Sequence, residues 1–138
     1  MEKKFLFLGV SIILLTIAFS GCQEEATSVK KTFDKISFDS DILEIVNGSL
    51  DITEDKEIIT RVEVTLYFKN LLNKDINLEY VVEFCDKNDN VLFEKPYEII
   101  NFPAEYTEIS PDIFSYNGEN VADFDYVNVR VLSYEVIE

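Results

Sequence analysis

The chain contains no histidine and no tryptophan. Without histidine it builds neither a Ser-His or Cys-His catalytic pair nor a His-ligated zinc or copper site. Beyond residue 21 only Gly48 and Gly118 remain, which excludes a glycine-rich phosphate loop. Cysteine is restricted to Cys22 and Cys85, too few for a disulfide framework. Carboxylates, hydroxyls, a few lysines, Arg61 and Arg130 are what is left for chemistry. That inventory is thin for an enzyme, and no cofactor is expected.

The amino-terminal stretch is different in kind. Met1-Glu2-Lys3-Lys4 precedes an apolar run from Phe5 to Phe19, broken only by Gly9, Ser11 and Thr16. A charged head, an apolar middle and small residues at the end are the parts of a secretory signal peptide, with the lysines on the cytoplasmic side. An uncleaved membrane helix competes with this reading, although such a helix normally needs about 20 apolar residues. Phe19-Ser20-Gly21-Cys22 resembles the lipobox of prokaryotic lipoproteins, with Phe19 where Leu is usual. The resemblance implies cleavage before Cys22 and lipid on its sulfur, each buried methylene contributing about 0.8 kcal/mol to membrane attachment. The expected division is residues 1–21 as signal, 22–31 as a lipid-anchored tether and 32–138 as the folded domain. The domain would face outward from the cell membrane.

Removing Glu2, Lys3 and Lys4 with the signal turns 12 basic and 27 acidic side chains into 10 and 26, a net charge of −16. The remaining 117 residues suffice for one domain with one core. So negative a chain repels nucleic acid and anionic membrane surfaces, and neither is expected as a direct partner.

Apolar alternation runs through the rest. Ile58, Thr60, Val62, Val64, Leu66 and Phe68 alternate with Ile59, Arg61, Glu63, Thr65, Tyr67 and Lys69, the period of a strand with one buried face. Ile76, Leu78, Tyr80, Val82 and Phe84 repeat the pattern after a polar connection, which predicts two antiparallel neighbours at the centre of a sheet. Thr32–Phe38, Ile42–Thr53 and Phe124–Ile137 read as further strands, and no stretch has helical periodicity. Asn47-Gly48 fits either a hairpin turn or a bulge within one long strand. Pro96, Pro103 and Pro111 mark edge strands and connections. Seven or eight short strands with regular turns predict an all-β, immunoglobulin-like antiparallel β-sandwich.

Val82-Glu83-Phe84-Cys85-Asp86 followed by Asn90-Val91-Leu92 resembles the segment that names the FxLYD family of prokaryotic surface proteins. Val82 stands for its Phe, Phe84 for its Leu and Cys85 for its Tyr, while Asp86 matches. Tyr67-Phe68-Lys69-Asn70 is similar to the upstream strand ending in Asn found in such modules. The resemblance implies an immunoglobulin-like sandwich, often lipid-anchored, without catalytic activity.

Several groups of residues are candidate sites. Asp86, Asn88 and Asn90 occupy the first positions of a calcium-loop pattern, with Val91 in place of its Gly and Tyr97 in place of its bidentate Glu; a solvated hairpin turn is the leading reading of the three. Glu119, Asp123 and Asp125 form a second oxygen-rich cluster suited to Ca²⁺, or a wet surface. Asn47-Gly48-Ser49 matches the glycosylation sequon at Asn47. Tyr67, Tyr97, Tyr106, Tyr116 and Tyr126 offer a stacking surface for sugars, or bridge core and rim. A hydrolase using two carboxylates would show a raised carboxyl pKa in a cleft. Cys85, placed outward beside Glu83 and Asp86, is expected to be inert because neighbouring negative charge suppresses thiolate. The leading expectation is a non-enzymatic cell-surface lipoprotein mediating envelope protein contacts or supporting a membrane assembly. The alternative is a surface module that binds Ca²⁺ or a glycan.

Overall fold

The structure, a computed structural model, describes residues 29–138. The signal segment, Cys22 and most of the expected tether lie outside the described residues. Eight strands follow in order: β1 Val29–Thr32, β2 Ile36–Phe38, β3 Leu43–Asp55, β4 Ile58–Asn70, β5 Ile76–Asp86, β6 Val91–Phe102, β7 Asp112–Tyr116 and β8 Phe124–Val136. A 3-10 turn, Val121–Asp123, precedes β8. The strands form two four-stranded sheets in the orders β1-β3-β4-β7 and β2-β8-β5-β6. Their inner faces pack as an all-β, immunoglobulin-like sandwich. All pairings are antiparallel except β2 with β8.

Alternation dictates the core. Val62, Val64, Leu66 and Phe68 of β4 face Ile76, Leu78, Tyr80, Val82 and Phe84 of β5, and all are buried. Phe68 and Tyr80 meet edge to face with ring centroids 4.9 Å apart. These two strands nevertheless lie in different sheets. The expected central pair is therefore corrected: β4 and β5 are partners across the core, not along a ladder. Two matched apolar faces satisfy both arrangements, and the connection at 71–75 crosses between the sheets instead of reversing within one.

Asn70 organises that crossing. Fully buried, it donates from Nδ2 to the carbonyls of Pro103 (2.9 Å), Lys74 (3.0 Å) and Phe102 (3.1 Å) and accepts from the Leu72 amide (2.9 Å). A connection crossing the end of a sandwich leaves main-chain groups without ladder partners, and one side-chain amide satisfies four of them.

Asn47-Gly48 is the bulge alternative, since the β3–β4 register shifts between Ile45 and Asn47. A Cβ on Gly48 would lie 2.8 Å from the ring of Phe33, so close approach rather than backbone angle favours glycine there. The actual β3–β4 hairpin turns at Lys56-Glu57, both at positive φ (55° and 68°). Pro96 sits in β6, at the outer edge of its sheet, where a missing donor breaks no ladder. At the amino end, the segment read as one strand over Thr32–Phe38 divides. β1 begins at Val29, inside the expected tether, and joins one sheet, while β2 joins the other.

Candidate functional site

The two oxygen-rich loops predicted as calcium candidates do meet. Asp86, Lys87 and Asn88 from the β5–β6 turn, with Ala122, Asp123, Phe124 and Asp125, line an open depression of about 450 Å³. Asp86 and Asp125 are already engaged. Asp86 Oδ1 accepts from the amides of Asn88 (2.9 Å) and Asn90 (2.8 Å), and Oδ2 accepts from Asn90 Nδ2 at 3.0 Å. These bonds, led by that from the Asn90 side chain, hold the Asp86 carboxyl below its ordinary pKa. Asp86 thus closes its own turn. Asp125 pairs with Lys35 at 3.2 Å. Glu119 and Asn90 are exposed and are not among the residues lining the depression. Among the described residues no group of three His, Cys, Asp or Glu side chains is placed to hold a metal ion.

Asn47 is exposed, but within β3 and opposite Tyr67 of β4 rather than at a turn tip. The tyrosines do not share one surface. Tyr116 is buried, stacked on Phe93 (5.1 Å, 5° between planes), with its hydroxyl donating to the Glu119 carbonyl. Tyr126 donates to Asp89 Oδ1 at 2.8 Å on the loop end of the domain. Tyr97 is exposed but leans edge-on against Phe114 and Tyr80.

Two polar constellations were not anticipated. On the outer face of the β5 sheet, Glu83 is 7% exposed because same-face neighbours cover it. Its Oε1 accepts from Asn128 Nδ2 (3.0 Å), and Oε2 accepts from Arg130 Nη2 (2.8 Å) and Nε (3.3 Å). The Arg130 hydrogen bonds keep the Glu83 pKa low against its burial. The only sequence signal was one of two arginines falling on a β8 outward position, and cross-strand register could not be read without knowing that β8 pairs with β5. Cys85, on the same face, is also buried, and desolvation pushes its thiol pKa up.

The second constellation sits where the edges of β4 and β7 meet. Tyr80 donates to Asp112 Oδ2 at 2.8 Å. The Glu108 and Asp112 carboxyls are hydrogen-bonded to each other, and Phe68 N–H donates to Glu108 Oε1 at 2.9 Å. Burial pushes the Glu108 pKa up to about 7 and raises that of Asp112. Residues 108–112 read Glu-Ile-Ser-Pro-Asp, an exposed-loop composition that gives no hint of this convergence.

The observed geometry defines a small all-β sandwich whose polar clusters lie at turns, on an outer sheet face and at one sheet edge. No family model matches the chain, and no curated protein does. Two solved structures are similar to it. One, cj0090 from Campylobacter jejuni, is 14% identical with a TM-score of 0.37, covering 72% of this chain and 99% of that one. The other is a DUF1425 family member from Shewanella sp. pv-4, 11% identical with a TM-score of 0.35, covering 83% of this chain and 94% of that one.

Proposed function

We propose that the chain is a non-enzymatic, outward-facing lipoprotein, held in the membrane through lipid on Cys22. Its sandwich mediates protein contacts at the cell envelope or supports a membrane assembly. We further propose that it is an FxLYD-like module. The positions of its motif have separable physical roles: Val82 and Phe84 fill the core, Cys85 is covered on the opposite face, and Asp86 ties the hairpin turn.

The observation that carries the contact reading is the open side of the sandwich. β6 and β7 end their respective sheets. Val91, Phe93, Tyr97 and Ile100 of β6 and Ile113 of β7 are large apolar residues left exposed there. Between the two edges runs a shallow groove of about 210 Å³ lined by Phe93, Lys95, Ile113, Phe114 and Ser115. An unpaired strand edge with apolar side chains beside it suits an extended segment of another protein. The competing calcium or glycan reading draws on the acidic depression, but Asp86 there serves its own turn and Asp125 serves Lys35. A catalytic reading would draw on Glu108 and Asp112, yet Glu108 is bonded to the β4 main chain and Asp112 to a core tyrosine.

Two measurements test the proposal. Mass spectrometry of the protein extracted from native membranes is expected to find Cys22 as a lipidated first residue, and Cys22→Ser is expected to shift the protein to the soluble fraction. An unmodified Cys22 ends the anchor. Photocrosslinkers placed at Phe93 are expected to capture an envelope protein that the same probe at Lys56 does not, and equal capture from both sites ends the contact reading.

A further inference from the structure

The segment between β6 and β7 is fastened to the edge of β4 in an unusual way. Asn70 N–H donates to the Tyr106 carbonyl at 3.0 Å, and Lys69 bridges Thr107. At Glu108 the main chain still donates to the Phe68 carbonyl (2.9 Å), but the answering acceptor for Phe68 N–H is the Glu108 side chain. Main chain and carboxyl of one residue therefore take both ladder groups of Phe68. Immediately beyond, the chain loops outward, with Ile109 82% exposed, and rejoins β4 as β7 at Asp112. The strap from Pro103 to Pro111 thus stays on β4 through the bonds of Asn70 and the Glu108 main chain and, at its far end, through a carboxyl group that must remain where a carbonyl would be.

That carboxyl is not alone. Asp112 is its hydrogen-bonded neighbour and also accepts from the core hydroxyl of Tyr80. Tyr80 faces the pair from β5, and Tyr97 stands behind it on β6 with ring centroids 5.8 Å apart. From β4 the pair is faced by the Phe68 main chain, since Lys69 alternates to the opposite side of its strand. On the strap, Tyr106 turns its ring to Phe102. Among the interactions described for Glu108 and Asp112 there is no cation. Two carboxyl groups in hydrogen-bond contact without a neighbouring cation hold one proton between them.

We propose that Glu108, Asp112 and Tyr80 form a proton-held latch that fixes the 103–111 strap along the β4 edge, and that loss of the proton loosens the strap. With the proton present, Glu108 donates to Asp112 while its other oxygen accepts from Phe68. Without it, both carboxylates are acceptors side by side: the Phe68 amide still donates to one and the Tyr80 hydroxyl to the other, but no donor remains between them. Glu108, raised from an ordinary 4.5 to about 7, is stabilising below the lower value. That stabilisation is lost as pH rises through about 7, so the strap is tight in acid and loose in alkali.

The test is thermal unfolding of the full chain in detergent across this pH range, with protection of the Phe68 and Glu108 amides followed by hydrogen exchange. Glu108→Gln can accept from Phe68 and donate to Asp112 at every pH. Wild type is expected to melt about 5 °C lower at the upper end of the window than at the lower, beyond any change in Glu108→Gln. Its Phe68 and Glu108 protection is expected to fall about tenfold or more, while Glu108→Gln keeps both flat. Wild type and Glu108→Gln changing in parallel with pH would overturn the latch. A Glu108→Gln chain that fails to fold also counts against it, because Gln supplies both bonds. Asp112→Asn is expected to move the transition to lower pH, and an unmoved transition overturns the pairing.

Discussion

Replacing Asn70 by Ala removes a side chain that carries four hydrogen bonds at the place where the chain crosses between sheets. The four groups left behind are not equivalent. The Phe102 carbonyl lies in a buried residue, so its loss approaches the full penalty for an orphaned acceptor, about 2 kcal/mol. The carbonyls of Lys74 and Pro103 belong to exposed residues and the Leu72 amide to a half-buried one, so water recovers much of their loss, leaving about 0.5 kcal/mol each. The sum is about 3–4 kcal/mol, a large share of the roughly 5–15 kcal/mol that holds a domain folded. Urea unfolding followed by tyrosine fluorescence measures it, and a loss below about 1 kcal/mol refutes the hub. Asn70→Asp sharpens the test, since an ionised carboxylate there has no proton to offer three carbonyls. Its folded-state pKa must then rise above the ordinary 3.9 or so, which makes the variant weakest at neutral pH and closest to wild type below about pH 4. An Asp variant indifferent to pH would show that the three carbonyls do not face the side chain.

Arg130→Ala is expected to cost about 2 kcal/mol, because it leaves Glu83 covered with Asn128 as its remaining side-chain partner; equilibrium unfolding checks it. The low folded-state pKa of Glu83 gives the opposite pH sign to Glu108, so its contribution is complete above the ordinary value of 4.5 and lost as pH falls below it. Glu83→Gln should therefore flatten the acid limb of a pH–stability curve and lower the neutral region by a pH-independent amount. Glu57→Gly should stabilise by about 1 kcal/mol, because the hairpin holds Glu57 at positive φ where a Cβ is costly. Cys85 should resist alkylation in the folded protein at mildly alkaline pH and react only on unfolding, read by mass spectrometry of the Cys22→Ser chain.

Strand existence and facing were legible because period-two alternation reports burial directly. The inner faces of β4 and β5 and the inward Val127 and Val129 of β8 all follow from it. Pairing was not legible, because an apolar face says that a strand is covered without saying whether its neighbour lies beside it or across the core. Hence β4 and β5 read as ladder partners and are opposed instead. The Asn-Gly dipeptide left turn and bulge open for a related reason. Glycine at 48 answers to Phe33, more than ten residues away in sequence, while Lys56-Glu57 makes the tight turn without any residue that prefers it. Asp86 was legible in a different sense, since an Asp opening a run of Asn and Lys marks a turn, and it satisfies that turn's amides. The Glu108 cluster was invisible, as it joins β4, β5 and the β6–β7 connection through contacts that sequence spacing does not encode.

The division of the amino-terminal segment between sheets has a mechanical consequence. β1 zips along β3 over Val29–Thr32, and only a few residues later β2 runs alongside β8 over Ile36–Phe38. Tension entering at Val29 must first strip one layer and then the other, and the two seams run in opposite senses relative to their partners. The domain therefore meets a pull from its amino end with two short fasteners in series, and shortening the chain past Phe38 would bare a rim of each layer at once.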